Sequence, residues 1–370
     1  MNQLKHLPQL ILFLCTLSSF WIIPNTLLAD LESPEVALGS FTQDLKVGPG
    51  MNAAGRNLAG CRFINIDLSK ANFDGANFRG CKIFQCNLKE ASFRKANFYG
   101  LWWNECEIEG ADFTDAILNG TESLHRSGVE ILFSSRQLKS TLSYKQRDFT
   151  GCTIGIAKED SPPSLDFQDA IFKDAEFGMT DLRDCNFTNA RLTDADFYLC
   201  KMTSKQLKST YDYKHKHFIR LTFGTIDGPI DLSGFNLYGS SYLPRHAEFS
   251  NSNITNCSFY SIPKEQLETT KNFQEGQLTG INFNGQQFTN VDLSGQNLSN
   301  SSFRGRFHGA NLTDAVISNC KFSEPTGIET GLTIKQIKST WNYKNNRMAG
   351  IKFPEELAKA LEAERAKEKE

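Results

Sequence analysis

The chain is short of the groups from which catalytic and metal centres are built. It has six histidines in 370 residues, and only His215 and His217 stand close together. With Asp212 they would make an incomplete metal-ligand set, but no third ligand falls at a useful spacing, and the segment reads as a solvated turn. There is no glycine-rich phosphate loop, no Cys-x-x-Cys pair and no His-Glu-x-x-His. Asp and Glu are plentiful yet scattered over outward positions, with no desolvated pair for acid–base work. Charge of one sign is missing too: 40 Lys and Arg oppose 42 Asp and Glu, so no strong field steers a charged partner. No catalytic residue, metal ligand or cofactor site is expected, and the chain does not read as an enzyme. The only long apolar stretch, Leu10 to Ile23, is flanked by Pro8 and Pro24 and is short for a membrane span.

What is present is a five-residue beat. Leu58, Phe63, Leu68, Phe73, Phe78, Ile83, Leu88, Phe93, Phe98, Trp103, Ile108, Phe113 and Leu118 follow one another at every fifth position. Two residues before most of them stands a small one, such as Cys61, Ala71, Ala76, Cys81 or Ala91. Neither a helix of period 3.6 nor a strand of period 2 keeps that pattern on one core. A unit this short buries its apolar side only by stacking on its neighbours, which calls for a solenoid.

The units read Ala-Asn-Phe-Asp-Gly (Ala71 to Gly75), Ala-Asn-Phe-Arg-Gly (Ala76 to Gly80) and Ala-Asp-Phe-Thr-Asp (Ala111 to Asp115). They resemble the pentapeptide-repeat family, whose units follow A-(D/N)-(L/F)-x-x, from about Arg56 to Phe353. The resemblance implies an all-β solenoid, a right-handed quadrilateral β-helix with four pentapeptides per coil. Residue chemistry agrees with it independently. The large and small residues alternate inward, Lys, Arg, Asp, Asn and Ser remain outside, and Asn or Asp before the central residue suits a corner.

Other segments differ. Lys5, His6, the apolar stretch and Leu27-Leu28-Ala29 have the layout of a secretory signal peptide over residues 1–29, with cleavage after Ala29. Residues 30–55 read as a flexible lead-in. The repeats occupy 56–353 in about four modules, with centres resuming at Phe167, Leu232 and Leu278. Tyr242 is taken as an inward centre of the third, less regular run. Between runs, Gln137 to Lys145 returns as Gln206 to Lys214 and Gln336 to Lys344, and more loosely from Gln266. Ser134, Thr203 and Thr333 form capping boxes with those glutamines, and Pro263 suits a first helical turn. Leu138 with Leu142, Leu207 with Tyr211 and Ile337 with Trp341 are i,i+4 pairs. Each copy is expected to be a short helical excursion from the coil wall, near 134–146, 203–215, 263–274 and 333–345. Residues 354–370 read as a C-terminal helix, with Leu357 and Leu361 capping the last coil or forming half of a homodimer contact.

Nine cysteines follow Ala29: Cys61, Cys81, Cys86, Cys106, Cys152, Cys185, Cys200, Cys257 and Cys320. All take the small inward position, where Cys serves as a modest hydrophobe, and they are expected to be buried free thiols. The excursions carry Lys205, Lys208, Lys214 and Lys216 in one copy, a basic ridge if the modules share a phase. Tyr99, Trp102, Tyr198 and Tyr260 are the aromatic residues placed to reach outward. Together these features predict a non-enzymatic exported scaffold, periplasmic or extracellular, that binds a protein or envelope component through its surface. Anchoring by an uncleaved N-terminal segment is the alternative address. The resemblance also offers a DNA-mimicking topoisomerase-binding protein, although the first run balances eight basic against eight acidic residues. A purely structural, self-associating envelope protein is the remaining alternative.

Overall fold

A typical repeat unit closes its own corner. In Ala71 to Gly75 the Asn72 side chain accepts from the Asp74 N–H at 3.0 Å, and the Phe73 carbonyl accepts from the Ala76 N–H at 3.0 Å. Gly75 takes up the left-handed backbone, φ 67°, that this turn demands. The chain thus turns once per pentapeptide, leaving Ala71 and Phe73 inside with no exposed surface. The computed structural model describes residues 35–37, 45–121, 132–157, 164–244, 246–324 and 330–367. The expected signal peptide lies outside the described residues.

Four such turns return the chain to its starting face. Parallel bridges run Asn57–Asn77–Asn97–Ile117, and the short strands β1 (Arg62–Ile64), β2 (Lys82–Phe84) and β3 (Trp102–Asn104) pair in parallel one coil apart. Backbone N–H groups bond upward to the next coil, as Phe73 does to the Ser92 carbonyl at 2.7 Å. Phe73, Phe93 and Phe113 stack with ring centroids 5.1 and 5.2 Å apart, so the core is a column of in-register side chains. The chain has many short parallel strands and short helices on this solenoid.

The step is not constant. Asn57 and Asn77 are bonded across 20 residues, Asn236 and Asn253 across 17, and Asp292 and Asn311 across 19. The shortest coil corrects the sequence reading: Tyr242 is turned outward, 45% exposed, and Leu243 takes its place inside.

Each excursion consists of two short helices, a correction to the single helix expected. They are α1 (Ser135–Ser140) with α2 (Leu142–Lys145), α3 (Ser204–Ser209) with α4 (Tyr211–Lys214), α5 (Lys264–Thr269) with α6 (Lys271–Gln274), and α7 (Ile334–Ser339) with α8 (Trp341–Lys344). The break falls on Thr141, Thr210, Thr270 and Thr340. Each is extended, accepts the N–H three residues on and caps the second helix. Each hydroxyl also donates back to the first helix, Thr210 to the Leu207 carbonyl at 2.7 Å. Leu138, Leu207 and Ile337 are buried, whereas Trp341 is 36% exposed, so the expected i,i+4 pairs do not share one helix face.

The two ends are covered differently. Glu35–Ala37 pairs antiparallel with β1. The helix α9 (Glu355–Lys367) buries Leu361 and part of Leu357 against the core and joins α7 through Lys338 and Glu364, 3.3 Å apart. Those contacts fasten α9 to the fourth excursion and to the core.

Candidate interaction surface

Among the described residues no group of three or more His, Cys, Asp or Glu side chains comes together as a metal site. A shallow depression lined by Gly234, Asn236, Asn251, Asn253 and Lys271 holds no acid–base pair. Asp212 and His217 do meet, with His217 Nε2 2.9 Å from Asp212 Oδ1, while His215 bonds the Tyr211 carbonyl instead. The nine cysteines at the small inward positions are buried, with no disulfide bond among them.

The excursions share one phase. Bridges Asp148–Ile171–Arg191, His217–Asn236–Asn253 and Gln277–Asn297–Val316 each count three coils between one excursion and the next, about 14 Å at the usual β spacing. Three are fastened alike. Gln137 donates to the carbonyls of Ile108 and Ala111, Gln206 to Leu182 and Cys185, and Gln336 to Phe307 and Ala310. Gln266, after Pro263, reverses the arrangement, accepting from the Phe249 N–H at 3.0 Å.

A buried polar side chain completes each fastening by accepting a core N–H that the excursion leaves without its coil partner. Ser143 accepts from Leu118, Asp212 from Leu192, Asn272 from Ile254 and Asn342 from Ile317. Burial is the main influence that raises the Asp212 carboxyl above its ordinary value, opposed by the Leu192 N–H and by His217.

Shared phase does not make a continuous basic ridge. Arg136 and Lys139 on α1 and Lys205 and Lys208 on α3 are exposed, but α5 carries Glu265 and Glu268 in the same places. Cations at the ends of the excursions are already engaged: Lys145 lies 2.6 Å from Asp115 and Lys344 lies 2.7 Å from Asp314.

One corner of the solenoid is apolar instead. The bridges Glu176–Asp196–Thr222–Ser241–Ser258 climb successive coils, and just beyond them, in every one of these coils but that of Thr222, stand Met179, Tyr198 with Leu199, Tyr242 and Tyr260, all exposed. Tyr198 and Tyr242 touch, ring centroids 4.7 Å apart. Among the described residues, Leu199 (φ 61°) and Tyr242 (φ 53°) are the only apolar side chains on left-handed backbone; the other non-glycine cases are polar or charged. Bulky residues rarely adopt that conformation, and strain of this kind gathers at functional sites.

The family model for the pentapeptide repeat region matches residues 56–139, and that for pentapeptide repeats (8 copies) matches 166–203 and 272–305. The chain is a pentapeptide-repeat protein. Two solved structures similar to this pentapeptide-repeat protein are HetL and QnrB1. HetL, described as involved in heterocyst differentiation regulation in the cyanobacterium Nostoc sp. strain PCC 7120, is 14% identical over 72% of this chain and 89% of its own, with a TM-score of 0.18. QnrB1, a plasmid-mediated fluoroquinolone resistance protein, is 15% identical in a trypsin-treated form over 85% of this chain and 97% of its own, with a TM-score of 0.15. No curated protein sequence matches the pentapeptide-repeat protein.

Of the aromatic residues expected to face outward, Tyr99, Tyr198 and Tyr260 are exposed. Trp102 lies half-buried under the Lys82 ammonium, 4.8 Å from its ring. Tyr242, Leu199 and Met179 were missed. Tyr242 fits the motif, with Ser240 two places before it, but Leu243 lies midway between Leu237 and Phe249, and that even spacing was the available sign. Nothing in the order of residues signals that Tyr198 and Tyr242 meet, because that depends on coil lengths.

Proposed function

We propose that this pentapeptide-repeat scaffold is an exported, non-enzymatic protein that holds a partner protein or envelope component at its aromatic corner. The wall is taken to be a right-handed, four-sided coil, as the family resemblance implies. The observation that carries the reading is the pair Leu199 and Tyr242, apolar side chains presented to solvent from left-handed backbone. Exposed apolar clusters with a polar surround mark interaction sites, and Tyr and Met are the residues that interface cores favour. The N-terminal layout of residues 1–29 supports export. The DNA-mimic alternative finds little support in the first run, where Lys89 pairs with Glu107 and Glu109 and Arg94 with Asp112, leaving mixed charge.

The test is site-specific photo-crosslinking in the native host, with the reactive residue at Tyr242 or, as a control, at the exposed Lys173 on the wall. A discrete adduct from position 242, lost on Tyr198→Ser, is the expected result. Equal adduct patterns from both positions would remove the corner from consideration. Recovery of the chain uncleaved from the cytoplasm would remove the export part of the reading.

A further inference from the structure

The four excursions are internal copies of one device, and the second is the one that fastens its core N–H with a carboxylate. Where the third and fourth use the neutral amides Asn272 and Asn342, the second uses the carboxylate Asp212. The amides both accept and donate. Asn272 takes the Ile254 N–H at 2.6 Å and gives its own N–H groups to the Gln277 carbonyl at 3.0 Å and the Thr255 hydroxyl at 2.8 Å. Asn342 takes the Ile317 N–H at 2.7 Å and donates to the Arg347 carbonyl at 2.9 Å and the Ser318 hydroxyl at 3.0 Å. Ser143 likewise accepts from Leu118 and donates to Asn119. An ionised carboxylate cannot donate. In the second excursion the donor comes from residue 217, the position of Gln277 and Arg347, where His217 turns Nε2 onto Asp212 Oδ1 at 2.9 Å.

We propose that Asp212 and His217 form a pH-responsive latch that holds the second excursion to its coil more firmly in mild acid than in mild base. Asp212 is 1% exposed, and an anion in that position is costly unless it is matched by charge or hydrogen bonds. Protonated imidazole supplies both, through a charge-assisted bond, and imidazoles ordinarily change charge between about pH 5 and 8. Neutral imidazole offers Nε2–H in only one tautomer and leaves the carboxylate uncompensated. The Asp212 carboxyl acts in the same direction: burial raises it, and a carboxyl raised by folding adds stability in acid that is withdrawn as pH climbs through its folded value.

The other groups around the pair do not cancel the effect. Thr193 offers a hydroxyl at 3.5 Å from Asp212 Oδ1. His215 stacks on Tyr211 at 3.9 Å, its ring 6.3 Å from that of His217. The Arg191 guanidinium lies 4.5 Å over the Tyr211 ring, and Lys214 bonds Asn189. The cations Arg191 and Lys214 are therefore engaged elsewhere, and His217 is the one that faces the carboxylate among the described residues.

The latch is read through the amide it covers. Hydrogen exchange of the Leu192 N–H in the full chain, corrected for intrinsic rate, is compared at about pH 5.5 and about pH 8. Protection at Leu192 should fall about tenfold or more at the higher pH, the equivalent of one pK unit of coupling. The Ile254 and Ile317 amides, held by Asn272 and Asn342, serve as internal controls and should change little. Asp212→Asn should abolish the response and bring Leu192 to the level of those controls, and His217→Gln should reduce it or move its midpoint. If Leu192 tracks Ile254 and Ile317 at both pH values, or the response persists unaltered in either variant, the latch is overturned. The wild-type comparison decides even if a variant fails to fold.

Discussion

Tyr198 and Tyr242 bring their rings to 4.7 Å between centroids although a whole coil, the one containing Thr222, lies between their backbones. They meet across Gly224, which occupies in that coil the place Tyr198 holds in the coil before. A Cβ on Gly224 would lie 2.3 Å from the Cys200 carbonyl oxygen and 2.6 Å from that of Phe197. The corner is therefore built around a position where no side chain fits.

Gly224→Ala should consequently destabilise the middle coils, by about 1–3 kcal/mol as overpacking usually does, since backbone atoms rather than flexible side chains must move. Thermal melting, followed by the fluorescence of the tyrosine pair, checks it. A variant that melts with the wild type would show that the coil spacing is softer than drawn.

The register of the core makes a sharper contrast. Phe93 is fully buried between Phe73 and Phe113, and Phe93→Ala should cost about 3–5 kcal/mol. Lys70 is exposed in a loose pair with Glu90 at 3.8 Å, and Lys70→Ala should change stability by less than about 0.5 kcal/mol. Denaturant titration of both variants tests the assignment of inside and outside together.

Fastening of the excursions is testable at its two ends. Gln336→Ala leaves the Ala310 carbonyl without its side-chain donor and the Phe307 carbonyl with only the Ala310 N–H, at a cost of about 1–3 kcal/mol. Thr340→Ala removes the cap that α8 receives and the bond to the Ile337 carbonyl, costing about 1 kcal/mol. Calorimetry should show both losses in the C-terminal part of the chain, since a solenoid's units couple mainly to their neighbours.

Thiol chemistry follows from burial. Burial pushes the thiols of Cys185 and Cys320 up to about 12, against an ordinary value of about 8.5. Because the thiolate is the nucleophile, neither should react with iodoacetamide at about pH 8 until the chain is denatured; mass spectrometry of the labelled peptides gives the answer. A thiol raised by folding contributes its stability below the unfolded value, so that contribution should fade as pH rises from about 8.5 toward 12.

Much of this architecture was legible in the order of residues. Phe73 and Ala71 announce an inward pair, Asn72 announces the corner bond, and Gly75 announces the turn, because all three depend on neighbours within one unit. The helix starts at Ser134, Thr203 and Thr333 were legible for the same reason, being local capping boxes. The break at Thr210 was not: Leu207 and Tyr211 satisfy a helical spacing, and only the wall behind them shows that the chain bends between the two. Tyr242 was misplaced because its unit obeys the motif, while the inward slot went to Leu243 in a coil shortened to seventeen residues.

By itself the sequence determined the unit, since a five-residue turn with one large and one small inward residue has a single way to hide both. It also determined where the wall is interrupted, through repeated polar caps that act over three or four residues. Only the tertiary structure decided what the wall presents. Residues from different coils become neighbours according to how many residues each coil spends, so Leu199, Tyr198 and Tyr242 gather at one corner across Gly224. Asp212 and His217 meet for a related reason: the excursion folds back on a coil whose Leu192 N–H needs a partner, and that need is invisible until the coils are stacked.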